Sequence, residues 1–257
     1  MTGPPRKQNA THEQWVQAFQ TVRERVPEVY VDELVERTAA RVRSVGSRMA
    51  YAWSGGKESV ALGHVCEIAG VDQAVLVVCE LEFPEFLRWV DVHRPAGLVI
   101  ENTGQDLHWL AGHPQFLFPT TGPVAARWFG EVQHRGQKTY FLRHRLDAML
   151  LGRRLADGNY VGGKGVWTYK NADGVVRSSP MYDWTNDDVL AVIAWRNLPL
   201  APFYQWPRGF RVGTGPWPKR RVESVEQGWS EVWAIDPTVV QHAAGVFPSA
   251  AEFIGRR

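Results

Sequence analysis

The sequence has little cysteine: only Cys66 and Cys79 occur among 257 residues. Two thiols exclude a disulfide framework, a Cys-x-x-Cys metal pair and the four thiolates of an iron–sulfur cluster. Both sit in apolar stretches, one on an expected helix and one on an expected strand, so they read as packing residues. Long apolar runs are also missing. No stretch approaches the ~20 residues needed to span a bilayer, and the first residues, Met1-Thr2-Gly3-Pro4-Pro5-Arg6-Lys7, are polar where a secretory signal is apolar. These absences predict a cytoplasmic protein without a membrane anchor. Charge of one sign is not in excess either: 29 Lys and Arg face 27 Asp and Glu, for a net charge of +2. That balance argues against a general nucleic-acid binder, although nucleic acid stays open as a partner of a local patch. The histidines show no metal spacing. His108 and His113 stand in a stretch without a further ligand, and His64 lies on a helix expected to pack, so no protein metal site is expected.

What is present is a hydrophobic content of 44% in a chain long enough for one sizeable α/β domain with extensions. The boundaries expected are a helical extension over 1–46, a nucleotide-binding α/β domain over 47–205, and C-terminal loop and helices over 206–257 packed on the same domain. Thr11-His12-Glu13-Gln14 reads as a capping box opening a helix to about Arg25, and a second helix is expected from Val31 to about Val45. Next come three continuous apolar runs, Met49–Trp53, Ala74–Cys79 and Gly97–Ile100, separated by helical stretches Lys57–Ala69 and Pro84–His93. Continuous rather than alternating runs indicate strands covered on both faces, and their alternation with helices indicates βαβ units. The fold class is therefore a Rossmann-like open parallel sheet with helices on both faces. A long helix from Val124 to about His144 leads into a further strand at Ala148–Leu151. Asn171-Ala172-Asp173-Gly174 reads as a hairpin turn, and Thr185 as the N-cap of a helix over Asn186–Trp195.

Ser54-Gly55-Gly56-Lys57-Glu58-Ser59 joins the first strand to the first helix of this domain. Adjacent glycines let a backbone approach an anion, and first-turn amides of a helix have no intrahelical acceptor, so the segment suits phosphate. Lys57 adds a charge, and Ser54 and Ser59 add hydroxyl donors. Gly152-Arg153-Arg154 follows the strand Ala148–Leu151 and reaches the same carboxyl edge, where an arginine can grip phosphate or sulfate by two points. Gly162-Gly163-Lys164-Gly165 makes Lys164 a further candidate contact. Arg208, Arg211, Lys219, Arg220 and Arg221 form a basic run near the C-terminus, and Trp217 among them is a candidate for stacking on a base.

The hexapeptide resembles the pyrophosphate loop Ser-Gly-Gly-x-Asp-Ser of the ATP pyrophosphatases. Phe83-Pro84-Glu85, Gly152-Arg153-Arg154 and Pro180-Met181-Tyr182-Asp183-Trp184-Thr185 with Asp188-Val189 narrow this to a resemblance to the phosphoadenosine phosphosulfate reductase family. Two positions depart from it: Glu58 stands where the loop usually has Asp, and Val78-Cys79-Glu80 where the family commonly has Asp-Thr-Gly. The resemblance implies an enzyme binding ATP with Mg2+, cleaving between the α- and β-phosphates and transferring AMP to sulfate, a nucleobase or a small metabolite. It implies catalytic roles for Lys57 and Arg154 and phosphate contacts from Ser54, Gly55, Gly56, Glu58, Ser59 and Gly152. Arg208 and Arg211 are candidate substrate contacts. The reductases carry a cysteine near the C-terminus, and nothing after Cys79 can serve here. Reduction of an adenylyl sulfate and a nucleotide-binding module of a nucleic-acid-modifying system are the alternatives, and a homodimer is left open.

Overall fold

The computed structural model describes residues 10–163 and 165–257, so Lys164 lies outside the described residues. Helix α1 (His12–Gln20) opens with the expected capping box: Thr11 N donates to Gln14 Oε1 at 2.8 Å and Gln14 N to Thr11 Oγ1 at 3.3 Å. It does not run unbroken to Arg25. Thr21 interrupts it, its hydroxyl donating back to Gln17 O at 2.9 Å, and α2 (Val22–Arg25) follows. Helix α3 (Glu28–Arg43) begins immediately after Pro27, the residue that sets its entry.

The apolar runs become β1 (Met49–Ala52), β2 (Ala74–Val78) and β3 (Leu98–Asn102), joined through α4 (Lys57–Ala69) and α5 (Pro84–His93). After α6 (Leu107–Gly112), α7 (Gly122–Trp128) passes through a π-helical turn, Phe129–His134, into α8 (Arg135–Arg143). The expected single helix is thus one rod with a π segment inside it. Strand β4 (Ala148–Leu150) follows, then the hairpin β5 (Thr168–Lys170) and β6 (Val176–Ser178). Its turn is closed by Asn171, which accepts from Val175 N through Oδ1 at 2.8 Å, while Gly174 takes φ +82°.

The six strands lie in the order β3-β2-β1-β4-β6-β5, all parallel except the β5–β6 hairpin. From β1 the chain moves outward to β3 and then returns to β4 on the other side of β1. Right-handed crossovers therefore place α4 and α5 on one face and α7–α8 on the other. The order reverses between β1 and β4, and at such a point a crevice opens beyond the carboxyl ends of the strands.

Helix α9 (Asn186–Trp195) packs on α4 and on the N-terminal helices. Thr185 and Asp188 form its capping box, Arg41 grips Asp183 with two bonds of 2.7 Å, and Trp184 Nε1 reaches Thr38 Oγ1 at 3.0 Å. The segment Asp183-Trp184-Thr185 thus ties α3 to α9. The short α10 (Gly209–Val212) precedes α11 (Val225–Ile235), α12 (Pro237–Ala244) and α13 (Pro248–Gly255), which pack on one another. Among the described residues no helix is long and apolar enough to cross a membrane.

Contact between α8 and the sheet is close enough to require glycine. A Cβ on Gly136 would lie 2.3 Å from Val77 Cγ1. Helix propensity alone predicts that Gly136→Ala stabilises by about 1 kcal/mol. We expect the opposite sign, a loss of about 1–3 kcal/mol from overpacking, read as a lower denaturant midpoint with unchanged m-value.

Candidate functional site

The loop after β1 is held by its own short bonds. Ser59 Oγ donates to Gly56 O at 2.8 Å and accepts from Ser54 N at 3.0 Å, and Gly56 N reaches Ser54 Oγ at 3.4 Å. Gly55 takes φ +69°, a conformation that disfavours side chains, and a Cβ there would sit 2.8 Å from Phe86. Gly56 caps α4 without a side chain, so the first turn of that helix faces the crevice with its backbone amides. The amide of Lys57 is taken by Tyr204 Oη at 2.5 Å. Trp53, the last residue before the loop, is buried and stacked on Trp89 at 5.5 Å between ring centroids.

Beneath the loop runs a buried chain of charges. Lys57 is 2% exposed, its ammonium paired with Glu58 and lying 5.4 Å from the centre of the Trp15 ring. Glu58 Oε1 also accepts from Arg154 Nη2 at 3.1 Å. Arg154 is fully buried, and all three guanidinium nitrogens are engaged. Nε and Nη2 bind the Asp157 carboxylate at 3.1 and 3.0 Å, Nη1 binds Trp184 O and Thr185 O at 3.3 and 2.7 Å, and Nη2 also binds Asn186 Oδ1 at 3.0 Å. Gly152 lets the β4 terminus approach this network, since a Cβ there would stand 3.0 Å from Glu58 O.

The structure brings Ser54, Gly55, Gly56, Lys57, Glu58, Ser59, Gly152 and Arg154 together at one edge, and gives Lys57 and Arg154 partners within the protein. Arg154 was expected to grip a transferring anion, and its donors are instead used within the protein. Lys57 was expected as a mobile charge and is packed under α1. The reason is desolvation: a buried guanidinium needs acceptors on every side, and two carboxylates supply half of its bonds, two carbonyls and the Asn186 amide oxygen the rest.

The C-terminal basic run does not form one patch. Arg208 and Arg220 converge on Glu231 at 2.7 and 3.1 Å, whereas Arg211 and Arg221 are exposed. Trp217 is a core residue rather than a stacking platform, 3% exposed and packed on Phe118 and Trp229. The segment around it does cover the loop: Thr214 Cγ2 lies 3.6 Å from the Cβ position of Gly56, Lys219 Nζ donates to Thr214 O at 2.8 Å, and Trp217 N donates to Leu81 O at 2.9 Å.

Tyr204, Thr214 and Glu82 are residues of this edge that sequence reasoning missed. Tyr204 and Thr214 arrive from far along the chain, with no local signal. Glu82 carried a faint one, a carboxyl between Leu81 and Phe83, both of which are buried. Its Oε2 has no hydrogen-bond partner among the described residues, and burial pushes the carboxyl up to about 8 against the pull of the Lys219 charge and a backbone hydrogen bond from Cys79. No group of three His, Cys, Asp or Glu among the described residues stands ready to hold a metal, and the Glu58 carboxylate is already engaged.

Residues 48–216 match the sequence profile of the phosphoadenosine phosphosulfate reductase domain. No curated protein matches the sequence as a whole. A phosphoadenylyl-sulfate (PAPS) reductase from Candida auris, solved as a phosphate complex, superimposes with a TM-score of 0.51 at 13% identity, covering 70% of this chain and 92% of that one. U34-tRNA thiolase NcsA from Methanococcus maripaludis, solved with its 4Fe-4S cluster, gives 0.48 at 15% identity over 88% of this chain and 79% of that one. NMN synthetase from Francisella tularensis gives 0.45 at 11% identity over 68% and 72%. At 13% identity the likeness to the reductase speaks to the fold alone.

Two outcomes follow from the buried charges. Arg154→Lys cannot reproduce the fork and should destabilise the fold by about 3 kcal/mol or more, seen in thermal unfolding without nucleotide. For Glu82 the folded pKa lies above the unfolded one, so between about pH 4.5 and 8 the native state holds more protons, and its contribution to stability falls as pH rises through that window. Glu82→Gln should remove this slope and raise stability at pH 8 relative to wild type, measured by denaturant unfolding across the range.

Proposed function

The chain belongs to the phosphoadenosine phosphosulfate reductase family, and from that membership we propose that it is an ATP pyrophosphatase-type enzyme that adenylylates a small acceptor. The observation that carries this reading is the loop. A strand, a glycine in the left-handed region and a helix N-terminus whose N-cap residue, Gly56, has no side chain meet at the point where the sheet order reverses. Backbone amides and the positive end of the α4 dipole then hold the β- and γ-phosphates. Glycine is needed at position 55, because a side chain would strain the backbone and strike Phe86.

In the reaction an acceptor oxygen attacks the α-phosphorus. The new P–O bond forms as the bond to the bridging oxygen breaks, and pyrophosphate leaves with that electron pair. Catalysis of this kind needs positioning and charge stabilisation rather than a protein nucleophile. Magnesium enters with ATP as part of the substrate. The Lys57–Glu58–Arg154–Asp157 chain is internally neutral, so its part is to fix the loop: Glu58 holds the start of α4 against the β4 terminus. The methylene that distinguishes Glu58 from the family's usual Asp gives it reach to Arg154.

Thiol-dependent reduction finds little support in these residues. Cys66 and Cys79 are buried, burial pushes both thiols up, and the sequence has no other cysteine. A nucleic-acid-binding module is supported no better, since Arg208 and Arg220 are occupied by Glu231.

The test is mass spectrometry of products formed from ATP and magnesium with sulfate, nucleobases or other small acceptors, paired with calorimetric ATP binding. Pyrophosphate and an adenylylated product are expected, with ATP affinity at least tenfold weaker in Gly55→Ala. The reading fails if no acceptor yields pyrophosphate and Gly55→Ala binds ATP as wild type does.

A further inference from the structure

Arg153 and Arg154 are consecutive in extended chain, Arg154 having φ −135° and ψ 151°, so their side chains leave in opposite directions. Arg154 turns to Glu58 and α4. Arg153 goes the other way: its Nη1 donates to Tyr169 Oη at 3.0 Å and its Nη2 to His134 Nε2 at 3.0 Å. Because arginine only donates, that imidazole nitrogen is the acceptor, and Nδ1 carries the ring proton. His134 is held neutral, with a pKa near 4, by burial and then by the charges of Arg177 and Arg153, with Asp173 pulling weakly the other way.

Arg177 is the unusual member. It lies on β6, opposite Met149 of β4 and Tyr169 of β5, and is 4% exposed. Among the described residues it makes no hydrogen bond or ion pair, and its Nε is buried without a partner. Its charged neighbours are a second arginine and a histidine. The nearby acid Asp173 is taken at the surface by Lys138 at 3.0 Å. Arg154 shows how this protein satisfies a buried guanidinium when it is structural: two carboxylates, two carbonyls and a side-chain amide. Arg177 has none of these. A buried cation beside like charge is costly unless an anion joins it. Ser179, one residue past the end of β6, adds a buried hydroxyl that also lacks a partner among the described residues.

We infer that Arg177 and Arg153, with His134 and Ser179, form a binding site for a tetrahedral oxyanion, phosphate or sulfate. The anion is taken either free or as the terminal group of a small ligand, and the site is distinct from the loop before α4. A guanidinium pair with a neutral imidazole N–H and a hydroxyl matches the donor demand of such an ion, and no carboxylate bonded to either arginine opposes it. This assignment does not depend on the nucleotide reading.

The test is thermal unfolding of the full chain in buffer free of oxyanions, with inorganic phosphate, sulfate or phenyl phosphate added and chloride at matched ionic strength as control. Wild type should gain several degrees with oxyanion over chloride, by binding linkage. Phenyl phosphate matching inorganic phosphate would assign a terminal group, and a response to the inorganic ions alone would assign a free ion. Gly55→Ala should keep the response. Arg177→Met should lose it while unfolding, without oxyanion, at the wild-type temperature or above, since an uncompensated charge has gone; a merely structural arginine would instead leave the variant less stable. Arg153→Met carries the same test if Arg177→Met does not fold. The proposal is overturned if wild type responds no more to oxyanion than to chloride, or if the response vanishes in Gly55→Ala and survives in Arg177→Met.

Discussion

One buried guanidinium organises the carboxyl edge of this sheet. Arg154 has no contact with solvent, and its partners come from three separate parts of the chain: Glu58 at the start of α4, Asp157 just beyond β4, and the Trp184–Asn186 segment that opens α9. A charge taken out of water at such cost is tolerated only when each donor finds an acceptor. Loop, strand end and helix cap are therefore mutually constrained. Asp183-Trp184-Thr185, besides capping α9 and gripping α3, supplies two backbone carbonyls to the centre of the site.

The same logic explains the departure of the loop from its family pattern. Glu58 serves Lys57 and Arg154 together, and Lys57 in turn lies over Trp15 of the first helix. The N-terminal extension is thereby coupled to the Ser54–Ser59 loop through a cation–π contact and an ion pair, both made by the buried Lys57 ammonium. The 213–219 segment approaches the loop through Thr214, whose Cγ2 lies 3.6 Å from the Cβ position of Gly56, while Trp217 anchors that segment to Leu81 and the core.

Comparison of the arginines separates satisfied from unsatisfied buried charges. Arg154 is satisfied; Arg208 and Arg220 share Glu231; Arg177 is buried with no described partner. Proteins retain such uncompensated groups where a ligand completes them, at a cost in stability when it is absent.

Local features of the sequence determined most of the scaffold. Helices Lys57–Ala69 and Pro84–His93 begin and end at the residues read from the pattern, because a glycine turn, a proline at N1 and a left-handed Gly70 are short-range signals. The strands followed from continuous apolar runs, and the Thr11 capping box and the Thr185 N-cap from residues close in sequence. The clustering of the Ser54–Ser59 loop with the Gly152–Arg154 strand end was legible too, since parallel strands deliver their ends to one edge. The destinations of the side chains were not. Which of two adjacent arginines turns to a carboxylate, that Tyr204 takes the Lys57 amide, that Trp217 is core, and that the Glu82 carboxyl is buried all depend on residues dozens of positions away. Tertiary packing alone decided these, because a charge or ring in the interior is governed by the neighbours the fold brings to it, and the local sequence does not contain them.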